Sequence, residues 1–319
     1  MNIWLVGAGP HAREYAKVLK DLNQNFEVIG RGSASADEFQ ASVGKSVSTL
    51  GLANEVKRKG PPECAIVAVS YHQLASVASK LILAGTRRIL LEKPGALSVS
   101  EINQLNSLAK KYDAKIWVAY NRRFYASTSL AREMIIDDGG ATSCTFELTE
   151  WSHTIDPMPL PKVTKSAWMI ANSSHVADLA FHLCGKPVDW NAWQRGKISW
   201  HPAAAQFCGA GVTKSGALFS YHADWEGPGR WGVEVLTRKR RYIFKPMETL
   251  QITNLASLNL EQLKLDDILD TNFKPGLHRQ TKLFLDGKTE LLCSLEEQSE
   301  MISVYAKMAG YKSTVEKND

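Results

Sequence analysis

The chain has 319 residues, 44% of them hydrophobic and 22% charged, with a formal net charge of +5. Those proportions exclude a disordered or collagen-like chain, and a mild positive balance alone makes no case for nucleic acid. No apolar run reaches the about 18 residues that a membrane helix needs. No basic segment precedes the first apolar stretch, and the five cysteines are scattered without a C-x-x-C pair, so reduced thiols in a cytoplasmic protein are expected.

Residues 2–7 predict a short buried strand. Residues 12–22 predict a helix, because Ala12, Tyr15, Ala16, Leu19 and Leu22 share one face at helical spacing. Further strands are expected at 26–30, 64–70, 87–94 and 115–120, with helices at 72–85 and 98–112. The third strand is a near-continuous apolar run, as expected where a parallel sheet is covered on both faces. Ser98 with Glu101 three residues on reads as a capping box. Repeated β-α units imply right-handed crossovers and a doubly wound parallel sheet.

After about residue 120 the pattern changes. A helix (125–136), a strand (142–151), a Pro-rich irregular segment (156–165) and a helix stopped by Gly185 (173–185) come in turn. Four strands then follow closely, at 205–212, 217–225, 231–237 and 240–246, which favours an antiparallel sheet. Two domains are expected: 1–120, binding a dinucleotide, and 121–319, an α/β domain for substrate and oligomerisation. Nine Trp residues supply flat rings that can pack in a core or wall a sugar site.

The first motif is Gly7-Ala8-Gly9-Pro10-His11-Ala12, set between a strand and a helix. Gly7 permits the tight turn, Gly9 lets a pyrophosphate approach the backbone, and Ala12 lets helix and strand pack closely. The helix N-terminus would supply N–H donors to the phosphates. After the second strand the chain reads Ile29-Gly30-Arg31-Gly32-Ser33, with no acid to accept from ribose hydroxyls. Arg31 and Ser33 suit a 2′-phosphate, so NADP(H) is favoured over NAD(H). The second motif, Glu92-Lys93-Pro94, ends a strand, and ligands of doubly wound sheets sit beyond the carboxyl ends of strands.

Gly7-Ala8-Gly9, Glu92-Lys93-Pro94, Tyr120-Asn121-Arg122-Arg123-Phe124 and the later His175, in this order and spacing, resemble the glucose–fructose oxidoreductase, inositol dehydrogenase and MocA family over essentially the whole chain. The resemblance implies an N-terminal Rossmann domain and a C-terminal domain with a large, open, mostly antiparallel sheet that often joins copies into dimers or tetramers. It implies NAD(P)-dependent redox chemistry on a carbohydrate, cyclitol or sugar nucleotide, and often a cis bond between Lys93 and Pro94.

Carried over residue by residue, Lys93 would orient cofactor and substrate and His175 would serve as general acid/base. Members often carry Asp four residues before this histidine; here Ala171 stands there, with Asn172 next to it. Asp178, one turn after His175, could orient the imidazole, or could be an ordinary exposed helix residue. Tyr120 with Lys93 is the alternative proton path. Ser70, Glu92 and Asn121 complete the expected cofactor contacts. Arg122, Arg123, Trp151 and Asn172 are expected at the substrate, and one of the two arginines could instead form an ion pair. The glycine-rich turn Glu226-Gly227-Pro228-Gly229-Arg230 between Trp225 and Trp231 could frame a pocket or just join two strands, and the connector is the favoured reading. No metal-ligand spacing is present in the sequence. Two other readings stay open: an NADP-binding sensor or assembly protein without catalysis, and redox-neutral elimination or hydrolysis of a sugar around a retained cofactor.

Overall fold

The computed structural model describes residues 2–311. The chain forms two compact units, residues 1–129 with 266–299, and residues 130–265 with 300–319. Residues 121–129 and the returning segment 266–299 thus belong with the first 120 residues.

The first unit holds strands β1 (Ile3–Val6), β2 (Phe26–Ile29), β3 (Val47–Ser48), β4 (Cys64–Val67), β5 (Arg88–Glu92) and β6 (Lys115–Ala119). They pair in the order β6-β5-β4-β1-β2-β3, all parallel, and the short strand Cys293–Ser294 adds to β6 antiparallel. The order reverses between β1 and β4, which opens a crevice at their carboxyl ends, as in a Rossmann sheet. The connecting helices are α1 (Pro10–Asp21), α2 (Ser33–Val43), α3 (Leu52–Lys59), α4 (Leu74–Ala84) and α5 (Val99–Lys111). Helix α1 buries Ala12, Tyr15, Ala16 and Leu19, the face that its spacing predicts. At α5 the Ser98 hydroxyl accepts from Glu101 N at 3.2 Å, and the Glu101 carboxylate accepts from Leu97 N at 3.0 Å, so two orphan donors are satisfied.

Elements α2, α3 and β3 escape the periodicity reading. Polar Ser, Ala and Gln positions leave α2 with only Ala36, Phe39 and Val43 buried. The helix Leu277–Asp286, also unforeseen, packs onto α1, placing Leu277 and Phe284 in the core cluster with Tyr15 and Leu19.

The second unit is built on strands β7 (Ser143–Glu147), β8 (Pro187–Arg195), β9 (Gln206–Thr213), β10 (Leu218–Asp224), β11 (Gly232–Leu236), β12 (Arg240–Phe244), β13 (Gln251–Asn254) and β14 (Glu261–Gln262). They pair as β14-β13-β12-β11-β7-β10-β9-β8, antiparallel except where β7 meets β10. Strand β8 was missed because Trp190 and Trp193 interrupt a polar run without clear alternation. One face of the sheet carries Phe146, Phe219, Tyr221, Val233 and Val235 and is covered by the helix Ser174–Cys184. Phe181 of that helix meets Phe146 and Phe219 edge-on at 5.5 and 5.2 Å. Opposite residues on the other face, Trp193 with Cys208 and His222, and Asn191 with Ala210 and Ser220, point outward in register. Of the expected irregular segment 156–165, the last residues form part of a short helix, Lys162–Ser166.

All five cysteines are free thiols, and all but Cys208 are buried. Among the described residues, no helix is long and apolar enough to cross a membrane, and no group of three or more His, Cys, Asp or Glu could hold a metal ion.

Candidate active site

The residues singled out by motif fall on both units, and each set has its own geometry. In the first unit the chain leaves β1 at Gly7, whose φ of +127° lies in the left-handed region. A Cβ there would stand 2.1 Å from the carbonyl oxygen of Ala68, the residue that follows β4. Gly7 is therefore demanded by the protein's own packing. Gly9 is different: its φ of −78° suits any residue, and a Cβ would meet no protein atom within 4 Å. Its side-chain position opens onto space directly before α1. Helix α1 has no side-chain cap and no acid in its first turn, so its leading N–H groups and partial positive charge are open to an anion. This cradle fits a dinucleotide pyrophosphate.

At the end of β2, Arg31 and Ser33 are exposed and make no side-chain bond to any described residue. Ser33 starts α2, which again has no side-chain cap and no acid in its first turn. Ser70 is exposed past the end of β4.

Glu92 and Lys93 are buried at the end of β5. The Glu92 carboxylate accepts from the Tyr15 hydroxyl at 2.8 Å and from Lys93 N at 3.2 Å, so α1 fixes the motif's acid. The Lys93 ammonium donates to the Tyr71 hydroxyl at 3.4 Å and lies 4.9 Å from the centre of that ring. The Lys93–Pro94 bond is cis, as the resemblance leads one to expect. Tyr120 is fully buried, and its hydroxyl accepts from Gln298, which also donates to Pro94 O. The Asn121 amide donates to Pro275 O at 2.9 Å. Arg123 forms an ion pair with Glu297 at 2.7 Å, and half-buried Arg122 lies over the Tyr125 ring.

Sequence reasoning missed Lys274, which no local pattern marks. Its ammonium donates to His11 Nδ1 at 2.9 Å, at the start of α1. Burial lowers the His11 pKa below its ordinary 6.5, so a neutral ring is free to accept. Burial likewise lowers Lys274, with Lys93 and Arg122 as repelling neighbours.

In the second unit a π-helical turn, Met169–Ser173, runs into the helix Ser174–Cys184 that carries His175 in its first turn. Such turns often mark functional positions. His175 is buried, and its ring centre stands 6.1 Å from that of Trp231. Asp178 is 1% exposed, which removes the reading of it as an ordinary exposed helix residue. Ala171 is fully buried.

The carboxylate against this turn is Glu150, three residues past β7, which sequence reasoning also missed. It is 2% exposed and accepts from Ser173 Oγ at 2.7 Å and Asn172 Nδ2 at 2.9 Å. Burial raises its pKa above 4.5, with Ser173 and Arg230 pulling the other way. Trp151 is exposed, its indole N–H held by Gly229 O at 2.9 Å, and His153 stacks beside it. The turn between Trp225 and Trp231 does more than connect strands, because Arg230 lies over the rings of both Trp151 and Trp231.

Residues 1–120 match the family model described as an oxidoreductase family with an NAD-binding Rossmann fold, Gfo/Idh/MocA. Solved structures align along nearly the full length. Levoglucosan dehydrogenase in complex with NADH is 16% identical with a TM-score of 0.80, covering 97% of this chain and 96% of its own. UDP-N-acetylglucosamine 3-dehydrogenase from Acidithiobacillus ferrooxidans is 16% identical with a TM-score of 0.75, covering 97% of each chain. An NAD-binding oxidoreductase from Klebsiella pneumoniae is 15% identical with a TM-score of 0.76, covering 97% of this chain and 96% of its own. At these identities the likeness is one of fold. No curated protein matches the sequence.

Proposed function

We propose that the protein is an oxidoreductase that moves a hydride between a nicotinamide dinucleotide, NADP(H) in preference to NAD(H), and a carbinol or ketone carbon of a carbohydrate, cyclitol or sugar nucleotide. The observation that carries this reading is the open Cβ position of Gly9 before the uncapped α1, in a sheet of Rossmann order. The family match over residues 1–120 and the dehydrogenases among the structural relatives support it.

The residues proposed to hold the cofactor are Gly7, Ala8, Gly9, Pro10, His11 and Ala12 at its phosphates, and Arg31 with Ser33 at the 2′-phosphate. Ser70, Glu92, Lys93 and Asn121 lie further along the sheet's carboxyl edge or just past it. Exposed, unpaired Arg31 and the absence of an acid in the first turn of α2 support the NADP preference. A bound nicotinamide would supply or accept the hydride.

Lys93 and His175 are the residues proposed to handle the proton of the substrate oxygen. An imidazole carries a ring nitrogen that can take or give a proton, which suits that task. Asp178 is proposed to orient His175, with Tyr120 as an alternative in the proton path. Arg122, Arg123, Asn172 and Trp151 are proposed at the substrate. Exposed Trp193 and the outward row of small and polar residues on β8, β9 and β10 are proposed to pair with a second copy, in a dimer or tetramer.

The test is a pair of variants, Lys93→Ala and His175→Ala. Each should lose hydride transfer on an active sugar by at least about a hundredfold while still binding NADPH. Full turnover in both variants would refute the roles. Tight cofactor binding with no hydride transfer across a broad panel of polyols and keto-sugars would refute the enzymatic reading.

A further inference from the structure

Arg230 occupies an unusual setting for an arginine on a turn. Its guanidinium carbon lies 4.8 Å from the ring centre of Trp151 and 4.6 Å from that of Trp231, so an indole holds each neighbour position. One Nη reaches the buried Glu150 carboxyl at 3.5 Å, and its backbone N–H donates to Glu147 at 3.0 Å. The Trp151 N–H is in turn tied to Gly229 O, so the loop and both rings are locked together. Flexible arginines lose rotamer freedom when they grip a ligand; this one has lost it beforehand. Yet its side chain is still 45% exposed, and its remaining N–H groups bond to no described residue.

We propose that Arg230 is the anion-recognising group of a substrate subsite in the second unit, and that the substrate is a sugar carrying a carboxylate or a phosphate. A guanidinium edge presents two parallel donors that match either group. Trp151, half-exposed, leaves apolar indole surface next to the guanidinium. The proton-handling candidate is near: His175 and Arg230 flank the same indole, Trp231. The local charge permits an anion, because Glu147 is already paired with Lys245 at 2.8 Å.

This inference rests on the reading of the second unit as the substrate half, and calorimetry separates the two. Glucose, glucuronate and glucose 6-phosphate are titrated into the full chain with saturating NADPH, so that phosphate sites for the cofactor are filled. Either or both anions should bind at least about tenfold more tightly than glucose, and the tighter one tells carboxylate from phosphate. Arg230→Met should abolish that preference, and Arg230→Lys, which keeps charge but loses the fork, should keep only part of it. Equal binding of the three probes, binding of none, or a preference that survives in Arg230→Met overturns the inference. Since no hydride transfer is needed for the readout, an anion preference without turnover would refute the redox reading alone. Turnover without an anion preference would refute the subsite alone.

Discussion

Two glycines two residues apart should respond to the same methyl group in opposite ways. Gly7→Ala must place a Cβ 2.1 Å from Ala68 O on a backbone with φ of +127°. Left-handed strain costs about 1–3 kcal/mol. Relief of the clash requires the end of β1 or β4 to shift, at about 1–3 kcal/mol more, less the about 0.4–1 kcal/mol gained by stiffening the unfolded chain. The first unit should therefore lose roughly 2–5 kcal/mol by chemical denaturation. Gly9→Ala meets no atom within 4 Å at an ordinary φ of −78°. Its entropic gain and the loss of a preferred N-cap residue nearly cancel, and stability should stay within about 1 kcal/mol of wild type. Its methyl would nevertheless stand where the pyrophosphate comes closest. NADPH affinity, read by nicotinamide fluorescence, should fall at least about tenfold, as expected when one or more charge-assisted bonds are lost. A Gly9→Ala variant that binds NADPH like wild type, or one that unfolds as readily as Gly7→Ala, would refute the assignment of this turn to the cofactor.

The second unit should weaken in acid. His201, in contact with Trp225 and hydrogen bonded to Ala204 O and the Tyr311 hydroxyl, has its pKa lowered by burial to about 4. The unfolded chain takes a proton on this ring below about pH 6.5 and the folded chain does not until about 4, so stability attributable to it is lost as pH falls through that window, by up to about 3 kcal/mol. Glu150 acts with the opposite sign, because its raised carboxyl keeps a proton that the unfolded chain releases. The histidine's share is therefore the difference between wild type and His201→Gln in denaturation at pH 7 and pH 4.5, and equal pH dependence in the two would contradict it. Asp138, buried, accepts from Tyr242 at 2.6 Å, Thr237 at 2.9 Å and Arg240 at 2.8 Å, so Asp138→Ala should cost about 3 kcal/mol while NADPH binding is kept; a loss under 1 kcal/mol would contradict the geometry.

How far the fold was legible depends on how each element buries its residues. The strands of the parallel sheet other than the two-residue β3 are short apolar runs, and α1 and α5 carry a clear stripe or a capping box, so their places follow from periodicity. Helix α2 is small and polar, β8 has no clean alternation, and the returning helix Leu277–Asp286 is recognisable only through the α1 face that it covers. The glycine turn was legible because its geometry is local. Glu150, Arg230 and Lys274 were not, because their roles come from partners at positions distant in sequence: Ser173 for Glu150, Trp151 for Arg230 and His11 for Lys274. Asp178 shows the limit from the other side, since i,i+3 spacing named its neighbour but could not tell burial from exposure.

The most direct measurement is a titration with NADPH and with NADH, followed by nicotinamide fluorescence, in the wild type and in Arg31→Asp. Exposed, unpaired Arg31 and Ser33 at an uncapped helix predict that NADPH binds at least about tenfold more tightly, and that Arg31→Asp loses the preference. NADH binding as tightly as NADPH would contradict the cofactor preference, and binding of neither would contradict the account of the protein as a nicotinamide-dependent oxidoreductase.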